Sequence, residues 1–232
     1  MSCVLITRPA PQAAATARRL NEAGYRTFCA PLLEIESLTL TLPEVAPQAV
    51  LMTSRNALPA LAASGIDRNL PIYAVGGSTA HEIRQHGFTR VESADGDSTA
   101  LARLVMQRCQ HGLGGLLYLA GDIVAGDLTG QLGAAGFWVE RQIAYRAHAA
   151  TALPDDVNIA LAAGEIDTAL LYSPRSAAIL ARLVTQHSQL HLVCLSAAVA
   201  TAAGKGWKGI TISQRPDEGS LIEALLNNAN VL

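Results

Sequence analysis

The sequence predicts an α/β fold of two domains, in which each domain is a parallel sheet flanked by helices. Short apolar, β-rich runs alternate with helix-forming segments along the chain. The runs are apolar on both faces, as strands of a parallel sheet covered on both sides must be. Two segments break the short-loop pattern and are candidates for connections between domains.

The first strand-to-helix unit lies at the N-terminus. Residues 4–8 form a short β-rich run, and Pro9 opens an amphipathic stretch that ends at Gly24. Residues 28–36 follow as one extended run. A strand, a helix and a second strand in this order predict a right-handed parallel crossover.

The same unit recurs further along the chain. Apolar runs that predict strands are followed in each case by a turn of small or polar residues. These runs are residues 49–52, 71–75, 116–119, 169–172 and 192–195.

The two irregular segments are residues 34–47 and 139–153. If they are paired connectors, residues 37–146 form an inserted second domain, and residues 1–36 with 147–232 form the first. A double connection of this kind limits independent drift of the domains but permits hinge closure. A single continuous sheet remains the alternative on these grounds alone.

The composition excludes several classes of protein. With 17 basic and 19 acidic residues, the net charge of −2 provides no positive field for binding nucleic acid. The apolar runs are far shorter than the roughly 20 residues that a membrane-spanning helix needs. Because no export signal is recognisable at the N-terminus, we expect a cytoplasmic protein without a nucleic-acid or membrane partner.

Cysteine and histidine residues are dispersed along the chain. Cys3, Cys29, Cys109 and Cys194 show no CxxC spacing, and we expect buried, reduced thiols. The six histidines form no HxH or HExxH motif. We therefore expect no metal site.

Predicted turns that directly follow strands carry glycine or hydroxyl residues at 53–56, 76–79, 173–176 and 196–198. In open α/β sheets, ligands bind at the carboxyl ends of the strands, where each following helix presents N–H groups and a positive dipole end. Such turns suit anions, including carboxylates. Hydroxyl residues there are also ordinary N-caps, so both interpretations remain open for any single turn.

Arginine and tyrosine residues stand beside these turns. Arg8, Arg55 and Arg175 lie where guanidinium groups can bind carboxylates, although solvation at the surface explains such positions equally well. Tyr118 and Tyr172 each end a strand that leads into a turn. Packing is the commoner role of such a tyrosine, but its hydroxyl can donate a proton in a dry cleft, and Tyr172 is the better candidate.

Nucleotide-dependent and serine-nucleophile enzymes are disfavoured. GxGxxG does not follow the first strand, and GxxxxGKS/T and GxSxG are absent. Three glycines do recur from residue 130 to residue 136, but they lie late in a predicted helix, and Gly136 is typical of a helix C-cap.

Five motifs together resemble the uroporphyrinogen-III synthase family. Each is short, but their order and spacing match over nearly the whole chain, and residues 117–122 (LYLAGD) and Tyr145 also look like the family. The motifs are residues 6–9 (ITRP), 53–57 (TSRNA), 74–80 (AVGGSTA), 172–177 (YSPRSA) and 194–200 (CLSAAVA).

The resemblance implies two α/β domains joined by a two-stranded linker, and a cofactor-independent cyclising lyase of tetrapyrrole and heme biosynthesis. Its substrate would be hydroxymethylbilane, a linear tetrapyrrole with eight carboxylates, closed to uroporphyrinogen III with inversion of ring D and loss of water. Main-chain groups would supply most contacts to the carboxylates. The residues expected to bind substrate are Arg8, Thr53, Ser54, Arg55, Gly76, Ser78, Thr79, Tyr118, Ser173, Ser176 and Ser196.

One departure from the family concerns catalysis. Some relatives carry a functional tyrosine about one turn into the helix after the Ser-Pro turn, where this chain has Ala177, Ala178 and Ile179. Tyr172 replaces it in our hypothesis, unless no side chain is essential. A monomer is expected. The alternative functions are a two-domain sensor or carrier of a small anionic ligand and, less favoured, a nucleotide-dependent enzyme.

Overall fold

The computed structural model describes residues 3–124 and 126–229. The strands are β1 (Cys3–Ile6), β2 (Arg26–Cys29), β3 (Leu33–Ser37), β4 (Ala49–Met52), β5 (Ile72–Ala74), β6 (Val91–Ser93), β7 (Leu116–Gly121), β8 (Val139–Ala149), β9 (Thr168–Leu171), β10 (His191–Cys194) and β11 (Gly209–Ile212). The helices are α1 (Ala10–Glu22), α2 (Leu58–Ala63), α3 (Gly77–Gln85), α4 (Ser98–Arg108), α5 (Leu128–Ala134), α6 (Asp155–Ala162), α7 (Pro174–Leu183), α8 (Ala197–Ala203) and α9 (Glu218–Ala229). Single 3-10 turns occur at Arg55–Ala57 and His187–Gln189.

The chain divides into two compact units, Met1–Glu34 with His148–Leu232 and Ile35–Ala147. These limits fall within β3 and β8, the same two strands that contain the boundaries expected from the sequence. The chain therefore passes from one unit to the other twice, as it does when one domain is inserted into another.

The sheet of the first unit has the strand order β11-β10-β9-β1-β2, and all its neighbouring strands pair in parallel. Each residue of β1, β9 and the last three of β10 is buried. One face packs in a core that contains Leu5, Leu171 and Trp207. The opposite face packs on α1 and α9 through residues such as Leu20 and Leu221. Burial on both faces explains the continuous apolar runs.

The second sheet has the strand order β3-β8-β7-β4-β5-β6. From β8 to β6 the neighbouring strands pair in parallel. The β3 and β8 strands run antiparallel, because the amide of Leu38 donates to the carbonyl of Ala144 and that of Ala150 donates to the carbonyl of Leu32. Helices α2 and α3 cover one face of this sheet, and α4 and α5 cover the other.

Two expectations from the sequence were wrong. Residues 28–36 are two strands, and Pro31, which has no N–H to donate to a ladder, lies in the break between them. The thiols are also less uniform than expected, since Cys3 and Cys194 are buried but Cys29 is exposed and Cys109 is half-buried. Burial raises the pKa of the Cys194 thiol to about 11, so this cysteine is protonated at neutral pH.

The core assignment of the second unit is tested at Leu51. This residue lies on β4 opposite Tyr73 and Tyr118 and is fully buried. Because Leu51→Ala removes buried methyl groups and leaves a cavity, we expect it to lower the free energy of unfolding by about 2–5 kcal/mol in urea titrations. The control Val45→Ala alters a residue that is 75% exposed, and we expect a change within about 0.5 kcal/mol. Equal losses in the two variants would contradict the assignment.

Candidate active site

The structure gathers the sequence-predicted residues into two groups, one in each unit. In the second unit, Thr53 follows β4 and Gly76 follows β5, and these strands are neighbours in the sheet. In the first unit, Ser173 follows β9 and Ser196 follows β10, which are also neighbours. Arg8 follows β1 on the other side of β9. All five positions lie at carboxyl ends of parallel strands, where α/β sheets bind ligands.

Three of the predicted serines act as N-caps. Ser54 Oγ accepts from the amide of Asn56 at 3.2 Å, and Ser173 Oγ accepts from the amide of Ser176 at 3.1 Å. Ser196 Oγ accepts from the amide of Val199 at 3.4 Å. Each hydroxyl thus fixes the start of its helix and satisfies one amide there. The first amides of a helix in general have no acceptor within that helix, which makes helix starts suitable for anions.

The turn after β5 differs from the other three. Gly76 is the N-cap residue of α3, has an extended backbone and provides no side-chain cap. Ser78 is exposed and Thr79 is half-buried within the first turn of the helix. A Cβ placed on Gly77 would lie 3.3 Å from Oδ1 of Asp95. The start of α3 thus has no side-chain cap, and the Asp95 carboxylate lies near it. Its amides and dipole suit a carboxylate.

Two of the predicted arginines, Arg8 and Arg55, are bound by internal glutamates. Arg8 is 9% exposed, and its Nη1 lies 2.6 Å from Oε1 of Glu218 on α9 and 3.1 Å from Oγ1 of Thr16. Arg55 donates from Nη1 to Oε1 of Glu82 at 2.5 Å and from Nη2 to Oγ of Ser78. The glutamates compensate the positive charges of both arginines within each unit. Arg8 and Arg55 therefore hold the turns in place in addition to any contact with ligand.

Tyr172 directly follows β9 and lies beneath Arg8. The Arg8 guanidinium carbon is 4.3 Å from the centroid of the tyrosine ring, a typical cation–π distance. No described residue makes a hydrogen bond of normal geometry with its buried hydroxyl. Burial raises the pKa of the Tyr172 phenol, and Arg8 offsets this in part. The phenol is therefore protonated at neutral pH and can act as a donor.

Tyr118 does not end a strand, so that part of the prediction was wrong. It is the third residue of β7, which continues to Gly121, and it is 2% exposed. Its hydroxyl lies 3.1 Å from Oγ1 of Thr53. Burial raises the pKa of the Tyr118 phenol, and the hydrogen bond with Thr53 lowers it. Tyr118 holds the turn after β4 from within the sheet.

Gly121 of the LYLAGD motif and Tyr145, which both resemble the family, lie close together at the end of β7. A Cβ on Gly121 would lie 2.7 Å from Cζ of Tyr145, so only glycine leaves room for that ring. Nη2 of Arg141 donates to the carbonyl of Gly121 at 2.6 Å and to that of Asp122 at 3.1 Å. These contacts fix the strand end that follows Tyr118.

Sequence analysis missed both glutamates that bind the arginines. Glu82 stands four residues after Ser78, a helical spacing that places both on one face of α3, but nothing in the sequence indicated that Arg55 approaches this face. Glu218 is more than 200 residues from Arg8 in the sequence. This separation along the chain is close to the largest that two residues of this protein can have.

Among residues 3–124 and 126–229, no group of three or more His, Cys, Asp or Glu side chains is arranged to hold a metal ion. Within the same ranges, none of the helices combines the length and the hydropathy required of a membrane span.

Comparisons with known proteins concern the family and the fold of the chain. A search of curated proteins finds no match. The chain is similar to the crystal structure of uroporphyrinogen-III synthetase from Helicobacter pylori, with a TM-score of 0.68, 18% identity and coverage of 98% of this chain and 99% of that one. A mutant uroporphyrinogen III synthase from the extremely thermophilic bacterium Thermus thermophilus gives a TM-score of 0.56 and 16% identity over all of both chains. At these identities the structures show a shared fold.

The family model of uroporphyrinogen-III synthase HemD matches residues 14–223, which is most of the chain. The match includes the four strand-end turns and Tyr172. The chain therefore belongs to the uroporphyrinogen-III synthase family.

Proposed function

We propose that this protein closes hydroxymethylbilane into uroporphyrinogen III without a cofactor. The family match over residues 14–223 carries the proposal. The turns support it, because each unit presents helix starts at a strand edge that suits carboxylates. The substrate has eight carboxylates, so it offers several partners to such turns.

The chemistry makes modest demands on side chains. Departure of the terminal hydroxyl of the substrate, with a proton, releases water and leaves a delocalised azafulvenium cation. The substituted carbon of ring D attacks this cation to give a spiro intermediate, from which ring D is inverted. The substrate supplies its own nucleophile, so the protein mainly selects one geometry of attack.

The energy required for this selection is small. A difference of about 3 kcal/mol between the competing transition states gives better than hundredfold preference for one isomer. Main-chain donors that hold several carboxylates at fixed positions can supply such a difference, because their placement is determined before the substrate binds.

The proposed binding set follows from the strand-end turns. Main-chain amides at the starts of α3 and α7 contact carboxylates, while hydroxyl and guanidinium groups keep the turns in place. The set comprises Arg8, Thr53, Ser54, Arg55, Gly76, Ser78, Thr79, Tyr118, Ser173, Ser176 and Ser196.

We assign the catalytic role to Tyr172. It adjoins the turn that begins α7, and its protonated hydroxyl has no hydrogen-bond acceptor of normal geometry among the described residues. The hydroxyl is buried beside Arg8 and Thr16 in the structure. In the proposed mechanism, binding of the substrate exposes this hydroxyl, which then donates to the departing hydroxyl of the substrate. The proposal also includes a cytoplasmic, monomeric protein. It acts without nucleic acid, and the net charge of −2 favours this part of the proposal.

The isomer ratio tests the proposed function. Purified protein is incubated with hydroxymethylbilane, and the products are oxidised to porphyrins and separated by chromatography. We expect the type III isomer to predominate, whereas buffer or heat-denatured protein yields the unrearranged type I isomer. Binding of the substrate without a change in the isomer ratio would contradict the proposal and favour a sensor or carrier.

The role of Tyr172 is tested by Tyr172→Phe. We expect turnover to fall by about 10-fold or more because the variant loses a proton donor, whereas the melting temperature changes little because the ring and its contact with Arg8 remain. Tyr73→Phe is the control, since Tyr73 is a buried tyrosine in the middle of β5 and does not belong to the proposed binding set. Unchanged turnover in Tyr172→Phe would remove this residue from the mechanism.

A further inference from the structure

A glutamate outside the predicted binding set binds Arg55, which in turn contacts Ser78 of that set. Glu82 lies on α3 one turn after Ser78. Its Oε1 accepts from Nη1 of Arg55 at 2.5 Å, and Nη2 of Arg55 donates to Oγ of Ser78. The flat guanidinium thus uses both terminal nitrogens on one face of a single helix.

This contact joins turns that follow two neighbouring strands. Arg55 begins the 3-10 turn after β4, whereas Ser78 and Glu82 belong to the helix after β5. On its other side, the turn after β4 is held by Thr53, whose Oγ1 lies 3.1 Å from the buried Tyr118 hydroxyl. The turn is fixed from both sides, and its backbone keeps a set position relative to the start of α3.

The ion pair between Arg55 and Glu82 contributes more to the position of the turn after β4 than to the stability of the fold. The Arg55 and Glu82 side chains are 26% and 31% exposed, and ion pairs at such partly exposed positions contribute little to folding. Binding groups are sensitive to placement, because a shift of about 1 Å can lower catalytic efficiency strongly. Glu82 also compensates the charge of Arg55, so substrate carboxylates meet the backbone amides of the turns.

We propose that Glu82 is a positioning residue for substrate binding. Acting through Arg55, it holds residues 53–56 against the start of α3, so that the amides of both turns are placed for carboxylates of one substrate. The inference rests on the proposed function, because the ligand is the same linear tetrapyrrole.

Steady-state kinetics with hydroxymethylbilane test the proposal. We expect Glu82→Ala to raise KM by about five- to tenfold and to change kcat by less than about twofold, since binding geometry and not the chemical step is disturbed. Glu82→Gln keeps an acceptor oxygen for Arg55, so its KM lies between those of the parent protein and Glu82→Ala. Combining Glu82→Ala with Arg55→Ala should raise KM no further than Arg55→Ala alone, because Glu82 acts through Arg55.

Glu92→Ala is the matched control. Glu92 forms a two-point ion pair with Arg108 in the same unit, with distances of 2.9 and 2.7 Å, and neither residue belongs to a strand-end turn of the binding set. Its side chain is 41% exposed, comparable to Glu82. We expect Glu92→Ala to leave KM unchanged and to alter the melting temperature as much as Glu82→Ala does.

The remaining outcomes overturn the inference. A lower KM in Glu82→Ala would mean that Arg55 binds substrate directly once it is released. An unchanged KM with a lower melting temperature would mean that the pair only stabilises the fold, and additive effects in the double variant would mean that Glu82 does not act through Arg55. Because the parent protein is assayed first, failure of the proposed function appears as absent turnover there, and failure of this inference appears only in the variants.

Discussion

The structure depends on one geometric constraint, which is that parallel strands end at a common edge of their sheet. Strands such as β4, β5, β9 and β10 are each followed there by a turn and a helix, so several helix starts lie side by side. Their first amides have no partner within the helix, and their dipoles are positive at this end. A ligand with many carboxylates matches such an edge without requiring a surplus of basic residues, which agrees with a net charge of −2.

The side chains at these edges serve mainly to hold the backbone. Ser54, Ser173 and Ser196 cap their own helices, and Tyr118 holds Thr53 from within the sheet. Two arginines of the edges are bound by glutamates from neighbouring helices. The strand-end turns are therefore preorganised before the substrate binds. Selection between two closely related transition states requires such preorganisation.

The fold was predictable from the sequence to the extent that burial determined residue type. Strands such as β4, β7 and β9 lie inside a parallel sheet and are continuously apolar, and the expected α/β class with parallel sheets and flanking helices is confirmed. By contrast, β6 and β11 are edge strands with mixed composition, and neither is recognisable as a strand from periodicity. The break at Pro31 was overlooked because the flanking residues are equally apolar.

The site was predictable only in part, for a related reason. The turns were found because glycine and hydroxyl residues recur directly after apolar runs, which is a local pattern. The partners of Arg8 and Arg55 were missed because ion pairs between distant segments depend on tertiary packing. The position of Tyr118 within its strand was also predicted wrongly, because β7 continues beyond it to Gly121.

Amide chemical shifts measured during a titration with uroporphyrinogen III test the central claim most directly. If helix starts in both units hold the carboxylates, the amides of Gly77 and Ser78 and that of Arg175 shift together and saturate at the same ligand concentration. Shifts confined to one unit, or shifts of these amides at unrelated concentrations, would contradict the account.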